Sequence, residues 1–591
     1  MLYFYQLNLY AMKAFFKGIL INILGTIVSS IIFILILIGI IILIIPDNDV
    51  VVEENSVLKI NLSEINVVER SSNNPFDELN LTGGEYESIE LKEILDNIEK
   101  AKKDNNIKAI YINTSFVNAG LSQIEEIRNK LLEFKAYKKP IIAYSEVYSQ
   151  TAYYLASVAD EIYLNPAGVI ELKGFSISQM FYTGLLEKLD IDMQIIRHGK
   201  FKSAVEPFTL SKMSNENREQ MSLLINALSK NIFSSVAKER NLPIDLINEH
   251  TNNLSLENAE SCLELGYVDG LLYQDQVEKK LISISKGKKL NLISLEKYNE
   301  VKDKSKKVSS NKIAIIYATG TIGLGNGDET SIGSITTAKA IKKAREDKNI
   351  KAIILRINSG GGSALASDII WRETQLIKKP FVVSMGDYAA SGGYYIACEA
   401  DHILANPTTL TGSIGVFGMI PNLQNFYKNK LGITIDTVNT HKSADMGIDR
   451  ALTTFERKKI QQGVEETYNT FISKVAKGRN MTTNEVDKIG QGRVWSGYDA
   501  KSIGLIDSYG GLEEAINIAC NLAKIKDHNI ISLPKKKDLL LDLMLKVGED
   551  ATISNLLIQK LGVNSTLIDP IEDLLQQDKI QARMPYIIEL K

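Results

Sequence analysis

The stretch Asn349-Ile-Lys-Ala-Ile-Ile-Leu-Arg-Ile-Asn-Ser-Gly-Gly-Gly-Ser363 joins a short apolar run to a glycine-rich turn. The apolar run predicts a buried β-strand, and helical spacing of apolar residues predicts helices over 336–346 and 366–377 on either side of it. Strands that alternate with helices are typical of βαβ units, whose parallel sheets are covered by helices on both faces. We therefore predict an α/β fold with largely parallel sheets.

The start of this stretch also occurs earlier in the chain, as Asn106-Ile-Lys-Ala-Ile110, and further matches follow in the same order. The matched segments are 106–110 with 349–353, 153–154 with 394–395, 236–241 with 475–480, and 266–269 with 504–507. A repeat of this length indicates a tandem duplication. The predicted copies cover 57–300 and 313–533, joined by a charged linker at 301–312, and the tail 534–591 matches nothing in the repeat.

The N-terminal region differs in kind from the rest of the chain. Residues 19–46 are almost wholly apolar, and about 20 such residues span a bilayer as a helix. Lys13 and Lys17 precede this segment and acidic residues follow it, which predicts that 1–18 are cytoplasmic and that the body lies across the membrane. A cleaved signal peptide is the alternative, but its apolar core is shorter. We predict a single uncleaved transmembrane anchor.

Composition argues against several functional classes. The formal net charge of -3 gives no sign of a nucleic-acid-binding surface. The three cysteines, Cys262, Cys398 and Cys520, are far apart, and the five histidines form no HExxH motif. The sequence therefore predicts no zinc site, disulfide framework or other cofactor.

A second glycine-rich turn follows the next predicted strand, in Met385-Gly-Asp-Tyr-Ala-Ala-Ser-Gly-Gly-Tyr394. Parallel sheets place functional sites at the carboxyl ends of their strands. Ser391 is predicted to begin a helix over 392–398, where free backbone amides favour a negative oxygen. Such a serine can use the N–H of its neighbour and one from the first glycine turn as an oxyanion hole. The alternatives are a helix cap for Ser391 and a phosphate loop for the glycines, although no GK[ST] follows them.

The first copy provides an internal comparison for Ser391. Gln150 occupies the equivalent position, and the segment 113–120 lacks the glycines of the first turn. The scaffold is thus retained in both copies, whereas the serine and both glycine turns occur only in the second. This difference favours a catalytic role for Ser391 over a purely structural one.

A serine nucleophile needs a base. His402 corresponds to Glu161 in the first copy, which indicates a surface position, and His441 is a further candidate. A lysine can also serve if burial lowers its pKa towards neutrality. Lys202 and Lys442 stand at equivalent positions of the two copies, and the residues alone do not choose between them.

Four motifs together resemble the long form of the signal peptide peptidase A family. They are Asp387-Tyr-Ala-Ala-Ser-Gly-Gly-Tyr-Tyr395, Thr411-Gly-Ser-Ile-Gly415, Phe201-Lys-Ser-Ala-Val-Glu-Pro-Phe208 and Gly492-Arg-Val-Trp-Ser-Gly497. The resemblance implies a fold related to the Clp protease and crotonase subunits. It also implies a homotetrameric serine endopeptidase at the periplasmic face of the bacterial inner membrane, which cleaves remnant signal peptides and unfolded peptides.

The resemblance also assigns roles to residues. It implies that Ser391 is the nucleophile, that Lys202 of the first copy is the general base, and that Ser413 orients the lysine. Gly361 and Gly392 resemble the oxyanion-hole donors.

Two departures from the family pattern bear on these roles. Gly360 stands where the family usually has proline, and Lys442 remains an alternative base because single-copy relatives take their lysine from that region. Other readings of the chain are a crotonase-like acyl-CoA enzyme and a catalytically inactive membrane scaffold.

Overall fold

The computed structural model describes residues 25–26, 29, 50–71, 87–302, 309–536 and 580–584. The predicted cytoplasmic segment 1–18 lies outside these ranges, as do nearly all of the predicted anchor 19–46 and most of the tail 534–591. Within the described ranges, no helix has both the length and the apolar character that a bilayer span requires. The chain divides into a unit Met1–Val51 and a unit Val52–Lys591, and the fold below is that of the second unit.

The first copy contains a parallel sheet, with helices between its strands. In spatial order its described strands are Gly270–Leu271, Glu161–Ile170, Ile141–Tyr148, Ile107–Ile112, Ser56–Ile60 and Asn291–Ser294. The helices in this copy are Leu91–Lys103, Leu121–Lys135, Gln150–Ala156, Thr183–Lys188, Asn215–Arg240, Ile244–Asn252, Ala259–Glu264, Gln274–Ser285 and Leu295–Asn299, with a 3-10 helix at Ser203–Phe208. A small parallel pair joins Ile65–Val68 to Glu87–Glu90.

The second copy repeats this arrangement. Its main strands lie in the order Val494–Ser496, Leu410–Gly412, Phe381–Ala390, Ile350–Ser359, Lys312–Thr319 and Asn529–Leu533, and His402–Ala405 pairs with both Phe381–Ala390 and Ser508–Tyr509. All these pairs are parallel except the one between Val494–Ser496 and Leu410–Gly412. The helices are Ser334–Glu346, Ala364–Thr374, Gly392–Tyr395, Gln424–Phe426, Thr454–Arg479, Thr483–Ile489, Gly497–Ser502 and Leu512–Ala523, with a π-helix at Tyr427–Leu431.

Alternate side chains of the strand Ile350–Ser359 enter different hydrophobic cores. Ile353 and Leu355 belong to one buried cluster, whereas Ile354 packs in another with residues of the helix Leu512–Ala523. All three side chains are fully buried, and each such burial stabilises the fold by about 1.5–3 kcal/mol. The apolar run before the first glycine turn therefore forms the predicted strand, covered on both faces, and the predicted α/β class with parallel sheets is confirmed.

A third sheet contains strands from both copies and from the tail. Its order is Ser331–Gly333, Thr321–Gly323, Gly361–Ser363, Gln581–Arg583, Phe417–Asn422 and Asp192–Arg197. The last two strands pair antiparallel, which joins the first copy to the second a few residues before Lys202. This pairing brings the region of Lys202 against the second copy.

Candidate active site

Ser391 lies at a sharp turn between the strand Phe381–Ala390 and the helix Gly392–Tyr395. Its φ is 56° and its ψ is -115°, a conformation that residues other than glycine rarely adopt. The N–H of Ser391 donates to the Gly412 carbonyl oxygen at 2.8 Å, and the Ser391 carbonyl oxygen accepts from the N–H of Tyr395 at 2.9 Å. A serine held on such a strand-to-helix turn presents its hydroxyl at the edge of the sheet.

The two glycines after Ser391 let the helix begin close to the first glycine turn. A Cβ added to Gly392 would lie 2.6 Å from Ser367 Oγ, and one added to Gly393 would lie 2.8 Å from the Ser359 carbonyl oxygen. No larger residue fits without a shift of these neighbours. The helix ends at Tyr395 and is therefore shorter than the predicted 392–398. Beyond it, the N–H of Ala397 donates to the carbonyl oxygen of Tyr394, three residues earlier, which is a 3-10 hydrogen bond and not an α-helical one.

Lys202 contacts Ser391 directly. Its Nζ lies 2.8 Å from Ser391 Oγ, 3.1 Å from Ser413 Oγ and 3.2 Å from the Ser413 carbonyl oxygen. All three side chains are fully buried. Burial holds the pKa of the Lys202 amine well below its ordinary value, because the charged form loses its hydration. A neutral amine at this distance can accept the proton of the serine hydroxyl.

Gly492 packs against the backbone of Lys202. A Cβ added to Gly492 would lie 2.6 Å from Lys202 Cβ, and the φ of Gly492 is +85°. The N–H of Gly492 donates to the Ile414 carbonyl oxygen at 2.7 Å, which fixes the glycine beside the segment that carries Ser413. Sequence reasoning gave Gly492 no role, although the motif 492–497 contained it.

Gln220 ties the lysine segment to the second copy. Its Nε2 donates to the Phe201 carbonyl oxygen at 3.1 Å and to Ser203 Oγ at 2.9 Å, on either side of Lys202. Its Oε1 accepts from the N–H of Val494 at 3.3 Å. One buried amide therefore holds the lysine segment and the second copy together, and no sequence motif marked it.

Ser413 is held by backbone contacts of the same region. Its φ is 48°, and its N–H donates to the Arg493 carbonyl oxygen at 2.7 Å. Its hydroxyl donates to the Gly492 carbonyl oxygen at 3.4 Å while contacting the amine of Lys202. The side chain is thus placed where it can orient the lysine, which is the role that the family resemblance implies for it.

The two predicted oxyanion-hole glycines lie side by side. The N–H of Gly392 has no partner inside its own helix, because Gly392 is the first helical residue. A Cβ added to Gly361 would lie 2.7 Å from the Gly392 nitrogen, so Gly361, whose φ is +97°, must be a glycine. The N–H of Gly361 donates to Ser359 Oγ at 3.1 Å, so it can serve an oxyanion only after leaving that hydroxyl.

The alternative bases lie elsewhere. Lys442 and His441 are exposed, and His441 Nδ1 contacts Thr440 Oγ1 at 3.0 Å. His402 Nε2 contacts Ser508 Oγ at 2.9 Å. In the described part of the chain, the basic side chain that contacts Ser391 Oγ is Lys202. Lys442, His441 and His402 do not contact it.

Gln150, which occupies the position of Ser391 in the first copy, has a structural role. Its Nε2 donates to the Gly174 carbonyl oxygen at 3.1 Å, and its Oε1 accepts from the N–H of Gly174 at 2.9 Å. Ser149, not Gln150, caps the helix Gln150–Ala156. The equivalent turn of the first copy thus supports a loop instead of presenting a nucleophile.

A buried charge cluster joins the two copies near this site. The guanidinium of Arg356 contacts Glu69 at 2.8 and 2.9 Å and Glu126 at 2.8 Å, with all three side chains buried. Arg356 belongs to the second copy and both glutamates to the first. Sequence reasoning missed the cluster, although an arginine within an apolar strand was a usable signal, since a buried charge needs a partner.

Asp387 lies beside this cluster and is four residues before Ser391. Its Oδ1 accepts from the N–H of Ser122 of the first copy at 2.8 Å. Burial, together with the negative charge of nearby Glu69, raises the pKa of the Asp387 carboxyl to about 6. Within the described part of the chain, no three His, Cys, Asp or Glu side chains are grouped so as to hold a metal ion.

Comparison with known proteins identifies relatives of this chain. The model of peptidase family S49 matches twice, at residues 133–288 and 373–526. Protease 4 of Haemophilus influenzae is 38% identical over 461 residues, which covers 75% of each chain. The chloroplastic serine protease SPPA of Arabidopsis thaliana is 33% identical, covering 85% of this chain and 75% of its own. A putative signal peptide peptidase SppA of Enterococcus faecium is 35% identical, covering 41% of this chain and 70% of its own.

Proposed function

The chain belongs to peptidase family S49, and on that premise we propose that it is a membrane-anchored serine endopeptidase with Ser391 as nucleophile and Lys202 as general base. The observation that carries the proposal is the distance of 2.8 Å between Lys202 Nζ and Ser391 Oγ, in a site where both side chains are fully buried. Family membership favours this function over the acyl-CoA chemistry of crotonase-like enzymes.

The proposed reaction is acyl transfer. Neutral Lys202 takes the hydroxyl proton of Ser391 while the serine oxygen attacks the peptide carbonyl carbon. The resulting ammonium gives that proton to the leaving amine as the C–N bond breaks, and an acyl-enzyme remains. Lys202 then takes a proton from water, the water oxygen attacks the ester, and the proton returns to Ser391 as the acid leaves.

Two further groups have proposed roles in this reaction. The N–H groups of Gly392 and Gly361 stabilise the oxyanion of each tetrahedral intermediate. Ser413 keeps the Nζ lone pair directed at Ser391 through the contact at 3.1 Å. Loss of one oxyanion donor typically lowers kcat by about 10²–10³-fold.

The proposed substrates are remnant signal peptides and other unfolded apolar peptides. The apolar side chains Met221, Leu224 and Leu410 form a buried cluster with Ala390, the residue before Ser391. An apolar peptide side chain gains about 1.5–3 kcal/mol when it leaves water for such surroundings. Signal peptides have apolar cores and can therefore supply such a side chain.

We also propose that residues 19–46 anchor the protein in the bacterial inner membrane, with the catalytic unit in the periplasm. The support is the apolar sequence of this segment and the lysines before it. Alkaline extraction of membranes should leave the full chain in the pellet and release a variant that lacks residues 1–46. Release of both proteins would contradict the anchor.

The proposed homotetramer is tested on the detergent-solubilised chain by light scattering.

Activity of three variants on an unfolded, signal-like peptide tests the dyad. Ser391→Ala and Lys202→Ala should each lose activity, because one lacks the nucleophile and the other the base. Lys442→Ala is the matched control and should keep wild-type activity, since Lys442 is exposed. Full activity in Lys202→Ala would contradict the dyad, and absence of hydrolysis by the wild-type chain would favour an inactive scaffold.

A further inference from the structure

A short segment of the C-terminal tail lies inside the third sheet. The strand Gln581–Arg583 has Gly361–Ser363 on one side and Phe417–Asn422 on the other, and both pairings are antiparallel. The N–H of Met584 donates to the Gly360 carbonyl oxygen at 2.6 Å, which extends the first pairing by one residue. The segment belongs to neither repeat copy, yet it fills the gap between two strands of the second copy.

This segment lies against the glycines beside the nucleophile. A Cβ added to Gly361 would lie 2.2 Å from the Ala582 carbonyl oxygen, and one added to Gly392 would lie 3.0 Å from the same oxygen. The backbone of the tail therefore reaches the residue that follows Ser391. An extended peptide that adds a strand beside a sheet edge is a common mode of peptide recognition, with main-chain pairing for affinity and pockets for alternate side chains.

Met584 occupies an apolar pocket between the two copies. Its side chain is 5% exposed and belongs to a buried cluster with residues from the helix Asn215–Arg240 and from the second copy. The other buried members of the cluster are Met221, Leu224, Leu228, Ala390, Leu410 and Val494. Ala582 is 1% exposed, so the segment is buried through both its backbone and its side chains.

We infer that the tail segment 580–584 occupies the peptide-binding cleft beside Ser391, and that a substrate reaches Ser391 only by displacing it. This inference rests on the proposed peptidase function of the cleft. The occupant also indicates which substrates fit: extended peptides that place a long, unbranched apolar side chain in the Met584 pocket. The tail thus acts as an internal competitor, which raises the apparent KM for every external peptide and leaves kcat unchanged.

Two full-length variants weaken the tail strand by different means. Met584→Asp places a carboxylate in the apolar pocket, and Ala582→Pro removes a backbone donor from the middle of a sheet. Leu522→Asp is the matched control, because it adds the same charge at an exposed apolar position in the helix Leu512–Ala523. In each tail variant we expect KM for a short fluorogenic peptide to fall at least about fivefold with kcat unchanged.

Binding separates this inference from the proposed chemistry. In the Ser391→Ala background, fluorescence anisotropy measures binding of a labelled peptide with the sequence of residues 580–584. Both tail variants should bind this probe at least about tenfold more tightly than the Leu522→Asp control does. Tighter binding without hydrolysis by any Ser391-containing chain would support occupation of the cleft and overturn only the chemistry.

Two results would overturn the inference. The first is equal probe binding and equal KM in the tail variants and the control. The second is a loss of thermal stability in both tail variants with no decrease in KM, which would make the strand a structural part of the sheet.

Discussion

Lys202 Nζ lies 2.8 Å from Ser391 Oγ, although the two residues are 189 positions apart and belong to different repeat copies. Neither side chain is accessible to solvent. The strand Asp192–Arg197 of the first copy pairs with Phe417–Asn422 of the second, and this pairing brings the lysine segment against the copy that carries Ser391. The proposed chemistry therefore depends on how the copies pack as well as on what each contains, and the following predictions test that dependence.

The activity should rise with pH along an acidic limb that belongs to Lys202. The proton-accepting form is the neutral amine, and burial keeps its pKa well below the ordinary 10.5. Activity is thus lost as pH falls through this pKa and is retained above it. The measurement is kcat/KM against pH for a peptide without titrating side chains. Lys442→Ala should show the same limb, and a rate that falls with rising pH over this range would contradict the prediction.

Lys202→Met should stabilise the protein near neutral pH. The buried amine is neutral in the folded state but protonated when unfolded, so unfolding takes up a proton between the lowered pKa and 10.5. Wild-type stability therefore rises with pH in this window, by at most about 1.4 kcal/mol per pH unit for this group. Methionine removes this dependence.

Chemical denaturation of the wild type and Lys202→Met at neutral and alkaline pH measures the difference. The advantage of the variant in free energy of unfolding should shrink as pH rises. An advantage that grows with pH would show that the lysine is not neutral in the folded protein.

Gly492→Ala should reduce activity without unfolding the protein. The new Cβ would lie 2.6 Å from Lys202 Cβ and 2.7 Å from its backbone nitrogen, so the glycine segment and the lysine segment cannot both keep their positions. A displacement of about 1 Å near the reacting groups lowers kcat/KM by roughly 10²-fold. Gly184→Ala is the control, because nothing lies within 4 Å of its new Cβ. Equal activity of the two variants would remove Gly492 from the positioning of the lysine.

Arg356→Met should strongly destabilise the contact between the copies. It would leave Glu69 and Glu126 buried without the guanidinium that contacts both. Breaking a buried ion pair costs about 3–5 kcal/mol in free energy of unfolding. Thermal or chemical denaturation measures this loss. Lys279→Ala, which breaks an exposed pair with Asp275, should cost less than about 1 kcal/mol.

A compensating variant separates loss of the ion pair from loss of packing. Arg356→Met combined with Glu69→Met and Glu126→Leu leaves no buried charge in the cluster and should recover much of the lost stability, since apolar replacements of buried ion pairs are often tolerated. If the triple variant is no more stable than Arg356→Met alone, unpaired charge is not the cause of the loss.

The sequence was most informative about local and repeated features. The apolar run at 352–355 predicted its strand because strands buried on both faces of a parallel sheet are mostly apolar. The helices expected at 336–346 and 366–377 are observed as Ser334–Glu346 and Ala364–Thr374, with ends shifted by a few residues. The length of the helix after Ser391 was overestimated, because its end depends on 3-10 hydrogen bonds that leave no periodic pattern in the sequence.

Interactions between distant segments left weaker signals. Arg356, Gln220 and Gly492 are visible in the sequence, but the residues around them do not indicate which side chains they contact. Each of them contacts at least one residue of the other copy, and a pattern in one segment carries no information about which surface of another segment will face it. The tail strand Gln581–Arg583 was missed for a different reason, since three residues are too few to show a period.

The sequence by itself determined the α/β class, the duplication and the difference between Ser391 and Gln150, because strand burial, repeated segments and residue identity are properties of the chain read in order. Residue patterns left Lys202 and Lys442 open as the base, and the family resemblance implied Lys202, but only the tertiary structure decided which amine contacts the serine hydroxyl. Lys202 and Lys442 hold equivalent positions in their copies, but the packing of the copies buries Lys202 against Ser391 and leaves Lys442 exposed. The burial of Lys202 and its contact with Ser391 depend on that packing, so residue patterns along the chain do not show them.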